Sequence, residues 1–323
     1  MDEKKEFEIV THTVMNYLEI FVVEMTSRCP HGHDDLEIGI LLKGALCLFM
    51  DGKEYKLREG DIYIINRFQI HSFSSAGEKN LVLAFQVHSD FYRRICYQLN
   101  FLHFDNPVMQ TGNLYEQTRD MLVSCASFYF SALPFREVKC AGLMLEALYL
   151  ILSGADCSFR NEKEYMSAQN NTLRLNRITG YIAEHYKEKL SLNEIARLEN
   201  ITVCHASHFI RKMLGISFQE YLNNIRFDRA LGYVRDSDLS ILDICMETGF
   251  SSSRYLNRMF MEKFGMTVKE YRKAGNRPEP SRPVLPAENI QKRYDFEMSS
   301  FLLGQCKKNL FGIRWYRTYE QRE

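Results

Sequence analysis

The chain has 323 residues, 41 basic and 41 acidic side chains, and a formal net charge of zero. Single hydrophobic cores rarely grow beyond about 250–300 residues, so this length predicts two domains. Apolar residues at 46% and charged residues at 25% exclude a wholly disordered chain, and a zero balance spread evenly would exclude a basic nucleic-acid binder.

The balance is not spread evenly. Residues 1–171 hold 16 Lys+Arg against 23 Asp+Glu (net −7), residues 172–275 hold 16 against 12 (net +4), and residues 276–323 hold 9 against 6 (net +3). An acidic front with a basic back implies separate domains with separate partners. Nine cysteines are scattered singly, with no CxxC pair, which is the usage of small buried residues in a reducing compartment. Met1 to Glu6 lacks an apolar signal core, and the longest apolar stretch, Ala141 to Leu152, is interrupted by Glu146. A cytoplasmic protein without a membrane partner is expected.

Along the chain, runs rich in Val, Ile, Phe and Tyr (Leu18–Met25, Glu37–Leu42, Leu46–Met50, Ile62–Ile65, Leu81–Val87) read as strands. Asp51-Gly52-Lys53 is a hairpin signal and Glu59-Gly60-Asp61 a turn, so a sandwich or small barrel is predicted. Residues 112–132 and 135–153 then carry apolar residues at helical spacing. The second of these helices is apolar nearly all round and needs a cover, either the barrel or a second subunit. Residues 156–171 turn polar (Asn161-Glu162-Lys163-Glu164, Gln169-Asn170-Asn171) and read as a linker unable to order itself.

Beyond the linker comes an internal repeat. Leu190-Ser191 answers Leu239-Ser240, Glu194-Ile195 answers Asp243-Ile244, Gly215-Ile216-Ser217 answers Gly265-Met266-Thr267, and Glu220-Tyr221 answers Glu270-Tyr271. Each copy opens on a Ser followed three residues later by an acid, which caps a helix start. The unit reads as helix, turn, helix, whose second helix enters the major groove of DNA.

In the second copy Leu256, Met259 and Phe260 form the inward face, leaving Arg254, Asn257 and Arg258 outward. Arg suits guanine O6/N7 and Asn suits adenine, so this trio has the chemistry of base readout, although a charged solvated face has the same pattern. In the first copy Ala206, Phe209 and Ile210 point inward and Cys204, Ser207 and His208 outward, with Arg211 and Lys212 placed to grip phosphate. Pro278, Pro280, Pro283 and Pro286 then mark an extended exit into a C-terminal extension. Its basic-aromatic run, Phe311 to Arg317 with the single Trp315, reads as packing on the preceding domain or as a DNA contact.

Ile195-Ala196, Ile201-Thr202, Gly215-Ile216-Ser217-Phe218, Arg226, Arg229-Ala230, Gly249-Phe250-Ser251-Ser252 and Phe264-Gly265-Met266-Thr267 together resemble the AraC/XylS family of transcriptional regulators. The resemblance implies two helix-turn-helix units joined by a central helix (about Phe218–Arg235) and set to enter successive major grooves. Asn200 stands in place of a turn glycine and Glu199 in place of an apolar residue, which implies a loosely packed first unit.

His31-Gly32-His33-Asp34-Asp35-Leu36-Glu37, followed by Gly44, resembles the first motif of the cupin barrel, and His71 stands where the second motif places its histidine. Strand alternation puts His31, His33 and Glu37 on one face. Three imidazoles and a carboxylate would suit Fe, Mn, Zn or Ni. The second motif is eroded, with Asn66 and Phe68 for proline and glycine and Ser75 for asparagine.

Three readings follow: a metal-dependent cupin enzyme fused to a DNA-binding domain, a structural remnant, or an effector pocket. The pocket is preferred, with His31, His33, Glu37 and His71 binding a small hydroxylated molecule such as a sugar, helped by aromatics among Phe49, Tyr63, Phe68, Phe73 and Phe85. No cofactor and no catalysis are expected.

The fold class is thus α+β: a cupin-like β-barrel with a helical dimerisation hairpin (1–155), a linker (156–171), an all-α double helix-turn-helix domain (172–275) and an extension (276–323). The resemblance implies double-stranded DNA, a small-molecule effector, a second copy of the chain and RNA polymerase as partners.

Overall fold

In the computed structural model, which describes residues 15–75, 79–274, 286 and 289–310, strand alternation sorts side chains between two cores. Strands β1 (Leu18–His31), β2 (Leu36–Lys43), β3 (Ala45–Met50), β4 (Lys53–Arg58), β5 (Ile62–Ile65), β6 (His71–Ser74) and β7 (Asn80–Val87) pair antiparallel in the order β4-β3-β6-β1-β7-β2-β5. The sheet curls into a nearly closed barrel.

On β2 and β7, Ile38, Ile40, Leu83 and Phe85 point outward, while the paired residues Glu37 and Gln86, Gly39 and Ala84, and Leu41 and Val82 point into the barrel. The β3–β4 turn follows its sequence signal, with Asp51 at φ 49° and Gly52 at φ 76°, matching the twist of a tight hairpin. Gly39 is needed for another reason: a Cβ there would lie 2.1 Å from the Tyr63 ring, which fills the barrel beside it.

A short strand, β8 (Leu102–Phe104), follows, and β9 (Val108–Met109) extends the sheet from β5. Helices α1 (Asn113–Tyr129) and α2 (Arg136–Gly154) form the predicted hairpin and cover the outer apolar face of β2 and β7. The periodicity of α2 implied full cover, but the structure divides it. Cys140, Met144, Ala147 and Ile151 are buried against α1 and the sheet, whereas Phe135, Val138 and Tyr149 stay 81%, 73% and 64% exposed.

The segment 156–171 is ordered, contrary to the reading of its composition. It forms β10 (Cys157–Phe159), paired with β8, and the first turns of α3 (Glu162–His185). Polar composition misled because the order comes from specific contacts. Asn161 and Glu164 form a reciprocal capping box, Tyr165 packs edge-on against Phe68, and the Thr172 hydroxyl donates to the Phe68 carbonyl at 2.6 Å. No helix among the described residues is long and apolar enough to cross a membrane.

Helices α4 (Leu192–Leu198), α5 (Val203–Leu214), α6 (Phe218–Asp236), α7 (Ile241–Thr248), α8 (Ser253–Phe264) and α9 (Val268–Lys273) make the two repeat units. Leu175, Ile178, Ile195, Ile210 and Leu222 form one core, and Phe227, Ile244, Leu256, Phe260 and Tyr271 the other. Helix α6 supplies Leu222 and Ile225 to the first core and Phe227 and Val234 to the second, so one rigid rod spaces the two units.

Glu199 does not loosen the first unit. Its buried carboxylate accepts from Arg177 Nε at 2.9 Å and Nη2 at 2.7 Å, and from Arg174 Nε at 3.4 Å. Asn200 takes the left-handed turn conformation (φ 52°). An apolar position has been exchanged for an ionic clasp between α3 and the turn after α4. Glu199→Ala is expected to lower stability by about 2 kcal/mol, since hydrogen bonds to a charged group are worth roughly 1.5–3 kcal/mol each way of counting. Urea unfolding of the full chain reads this, and an unchanged midpoint would show that the clasp is idle.

The extension returns to the barrel. Strand β11 (Ile290–Arg293) pairs with β1, and α10 (Phe296–Leu310) adds Leu303 and Cys306 to the outer core. Arg293 pairs with buried Glu19, and the Tyr294 hydroxyl donates to Glu24 at 2.7 Å. Pro278, Pro280, Pro283 and the Phe311–Arg317 run with Trp315 lie outside the described residues.

Candidate DNA interface and barrel site

Two loops bring the predicted histidines together inside the barrel. His31 ends β1, His33 follows in the β1–β2 loop, and His71 starts β6, its strand pairing with β1 through His31. The ring centroids of His31 and His71 are 4.1 Å apart, and one nitrogen of each of the three rings falls within a common 4.8 Å.

Each Nδ1 faces a backbone carbonyl: that of Cys29 for His31 (2.8 Å), Asp35 for His33 (3.0 Å) and Gln69 for His71 (3.0 Å). A carbonyl only accepts, so each Nδ1 carries a proton, and Nε2 of every neutral ring keeps its lone pair. His71 Nε2 is buried and has no hydrogen-bond partner among the described residues. Anchoring one ring nitrogen on a carbonyl and aiming the other inward is the arrangement that orients metal-binding histidines.

Glu37 completes the cluster. Its Oε2 lies 3.2 Å from His33 Nε2, and its Oε1 accepts from the Tyr63 hydroxyl at 3.0 Å. Burial opposes its ionisation, but His33, His71 and the Tyr63 hydroxyl outweigh that and hold its carboxyl below the ordinary range. Burial, together with the neighbouring Arg28 and His33 charges, holds His31 well below 6.5, and burial with His31 and His33 does the same to His71. Arg28 Nε donates to His31 Nε2 at 3.2 Å.

A depressed histidine pKa has a sign that can be tested. Below about pH 6.5 the unfolded chain takes up protons at positions 31 and 71 that the folded barrel refuses. The stability these rings contribute is therefore present above that pH and is lost as pH falls toward their folded values. In the presence of a chelator, the thermal midpoint is expected to fall between pH 7 and pH 5, and a flat profile would contradict the burial of neutral rings.

The eroded second motif does not break the site. Asn66 donates to the Phe104 carbonyl and accepts from the Phe104 amide, tying the β5–β6 loop to β8, and Phe68 takes a positive φ of 57° where a glycine was expected. The cavity beside the histidines measures about 90 Å³. That is room for roughly three waters at about 30 Å³ each and is well below the ~300 Å³ of ordinary organic-ligand pockets. Of the five aromatics considered, Tyr63 and Phe73 line it. Phe85 faces the outer core and Phe68 packs on α3. Arg28, Gln86, Gln291 and Arg293 also line it, and sequence reading did not find them. Gln86 sits on a predicted strand, Arg28 lies beyond the predicted end of β1 and turns inward after a register shift, and the last two come from the extension.

On the helical domain, Thr202 caps α5 and Ser252 caps α8, each side chain accepting an amide from the first turn. The inward faces are as predicted: Ala206, Phe209 and Ile210 in α5, and Leu256, Met259 and Phe260 in α8, are buried. Cys204, Ser207, His208, Arg211 and Lys212 are exposed on α5, with His205 beside them. His205 was missed although it lies three residues before His208, the spacing that shares a helix face. Arg254 and Arg258 are exposed on α8, and Arg258 lies over the Tyr255 ring at 4.5 Å.

Asn257 departs from expectation. It is half-buried, its Oδ1 accepts from the Val268 amide at 3.0 Å, and its Nδ2 donates to the Ser253 carbonyl at 3.0 Å. An amide held on both sides, by the start of α9 and by its own helix, is not free to turn its two groups toward adenine without giving up those bonds. Its placement at outward spacing concealed this, because the partner lies eleven residues away in the next helix.

A helix-turn-helix domain family matches residues 195–274, and a cupin domain family matches residues 20–87. An uncharacterized HTH-type transcriptional regulator of Staphylococcus aureus (strain MSSA476) is 24% identical over 295 residues, covering 88% of this chain and 39% of the relative. The chain therefore spans about two fifths of that relative's length. The HTH-type transcriptional activator RhaS of Klebsiella pneumoniae (strain 342) is 22% identical over 256 residues, covering 75% of this chain and 86% of the relative. The crystal structure of ToxT from Vibrio cholerae is 12% identical and covers 80% of this chain and 98% of that chain at a TM-score of 0.35. The chain thus carries a cupin domain ahead of a helix-turn-helix domain in one polypeptide, and its similarity to HTH-type transcriptional regulators extends over most of its length.

Proposed function

We propose that the protein is a sequence-specific regulator of transcription that binds double-stranded DNA through α5 and α8 and senses a small ligand in the barrel. The observation that carries the reading is the pair of N-capped, amphipathic helices on either side of α6 in the chain, each burying four apolar residues and exposing a polar face. Arg254 and Arg258 read base edges, Cys204, Ser207 and His208 make the smaller contacts of the first unit, and Arg211 and Lys212 hold phosphate. DNA affinity measured by fluorescence anisotropy is expected to fall log-linearly with salt, losing roughly 0.9 in slope per phosphate contact. Binding insensitive to salt, or equal on all sequences, would defeat this reading.

For the barrel, the geometry favours a metal ion over a free sugar. Three anchored imidazoles, a buried carboxylate and a cavity of about 90 Å³ suit a divalent first-row metal, which would displace any proton shared between His33 Nε2 and Glu37 and leave Glu37 as a further ligand. When bound, such an ion supplies a charged anchor for water or for a small oxygen-bearing effector. Nothing in this role requires turnover, and we propose sensing and not catalysis.

We further propose that two copies associate along α2. Phe135, Val138, Gly142 and Tyr149 recur at steps of three, four and seven residues on its exposed face, the spacing of a helix–helix seam. Val138→Glu is expected to convert a dimer to a monomer in sedimentation velocity with an unchanged circular dichroism spectrum, and a dimer surviving the change would place the interface elsewhere. A dimer would read paired half-sites, and contact with RNA polymerase would follow from its position on promoter DNA.

A further inference from the structure

Both loops that carry the histidines end against one helix. Gly32, between His31 and His33, is buried against α3: a Cβ there would lie 2.5 Å from Thr172 Cγ2. Its carbonyl accepts from Asn176 Nδ2 at 3.0 Å. The second loop meets the same turn of α3, where the fully buried Thr172 donates to the Phe68 carbonyl at 2.6 Å. The two loops are also bonded to each other, Phe68 N donating to the His33 carbonyl at 2.8 Å. One residue before His71, Ile70 leaves the barrel altogether and joins the core of the first helix-turn-helix unit.

Helix α3 is continuous from Glu162 to His185, so the turn that holds the loops is rigidly joined to the turns that build the DNA-binding unit. Leu175, Ile178 and Ile182 lie in the core of that unit. Arg174 and Arg177, on the same stretch of helix, grip Glu199 at the turn between α4 and α5. From the three imidazoles to the base of the recognition helix α5, every step is a hydrogen bond to a backbone carbonyl, a packing contact or an ion pair.

We infer that Thr172 and Asn176 are the positioning residues through which the state of the three-histidine site is communicated to the first helix-turn-helix unit. Ligation draws β1 and β6 together at His31 and His71 and fixes the loops that clasp α3; an empty site leaves the ring nitrogens that face the cluster with weaker contacts, those of Arg28 with His31 and Glu37 with His33 among them. The device rests on the metal reading of the barrel given above. It adds the route by which that site governs DNA binding, and it carries no role for the long polar segment as a slack tether.

Reciprocity makes the inference measurable. If zinc changes DNA affinity by some factor, DNA must change zinc affinity by the same factor. The experiment uses the full chain, Zn²⁺ as the probe in chelator competition, and a duplex selected by the protein from a random pool. Zinc is expected to shift the DNA Kd by about 5- to 150-fold, and the duplex to shift the zinc Kd equally. In T172V/N176A, zinc affinity without DNA and DNA affinity without zinc are expected to stay within about twofold of the parent while the coupling factor falls toward one. T172S, which keeps the hydroxyl, should retain the coupling and so controls for loss of folding. Zinc binding with no coupling, or coupling undiminished in T172V/N176A, overturns the inference alone. A chain that binds no zinc overturns the metal reading, and the inference with it.

Discussion

Alanine at Arg254 or Arg258 is expected to weaken binding to the selected DNA by about 1–3 kcal/mol each, roughly 5- to 150-fold, with little loss on unrelated sequences. Both guanidinium groups are exposed on the face of α8 opposite Leu256, Met259 and Phe260, and α8 is fixed by its core and by the Ser252 cap. Two arginines one helical turn apart can address neighbouring base pairs, and a bidentate pair to guanine is the strongest contact available to them. The controls differ in kind. Lys212→Ala should weaken all sequences alike, as a lost phosphate contact does. Asn257→Ala should lower stability and leave the ranking of sequences unchanged, because its amide serves Val268 and Ser253. A competition series on single-base variants of the site separates these outcomes; equal losses on every variant for Arg254→Ala and Arg258→Ala would demote both to phosphate contacts.

His71→Ala is expected to abolish stoichiometric binding of a first-row metal, a loss of more than roughly 100-fold in affinity, since even second-shell changes at such sites cost about 10- to 100-fold. His71 Nε2 is the buried ring nitrogen left without a partner, so its removal takes away a ligand while breaking only the bond from Nδ1 to the Gln69 carbonyl. Tyr63→Phe, which removes the hydroxyl that holds Glu37 Oε1, should weaken binding by a smaller factor. Elemental analysis after gentle purification reads both, and a His71→Ala protein that keeps its full metal content would show that the cluster is a hydrogen-bonded core.

Much of this was legible in the residue order, and for identifiable reasons. Alternation has a period of two, so it placed Glu37 on the barrel face, whereas Phe85, counted among the pocket aromatics, faces the outer core and its neighbour Gln86 the interior. The repeat exposed the two helix-turn-helix units, and the inward triplets of α5 and α8 follow from helical spacing alone. What stayed hidden depends on partners far away in the chain. Asn257 reads as a base-contacting residue until Val268 is placed beside it. Glu199 reads as a packing fault until Arg174 and Arg177 reach it from α3. The polar segment 156–171 reads as disordered because its order comes from contacts with the barrel loops, not from its own apolar content. The return of β11 to β1 pairs Arg293 with a strand some 270 residues earlier, and no local pattern announces that.

The opening neutrality has the same character. Seven surplus negative charges lie in residues 1–171 and seven surplus positive charges beyond them, only four of the latter within residues 172–275. A domain with so modest a surplus gains limited bulk attraction to DNA, so its specificity must rest on a few directed side chains and on the fixed spacing of two helices by α6.

Hydroxyl-radical footprinting of the full chain on its selected duplex tests that spacing most directly. Two protected patches on one face of the DNA, about 10–10.5 base pairs apart for each copy of the chain, are predicted from α5 and α8 entering successive major grooves. A single patch per copy, or protection with no sequence-dependent position, would contradict the account.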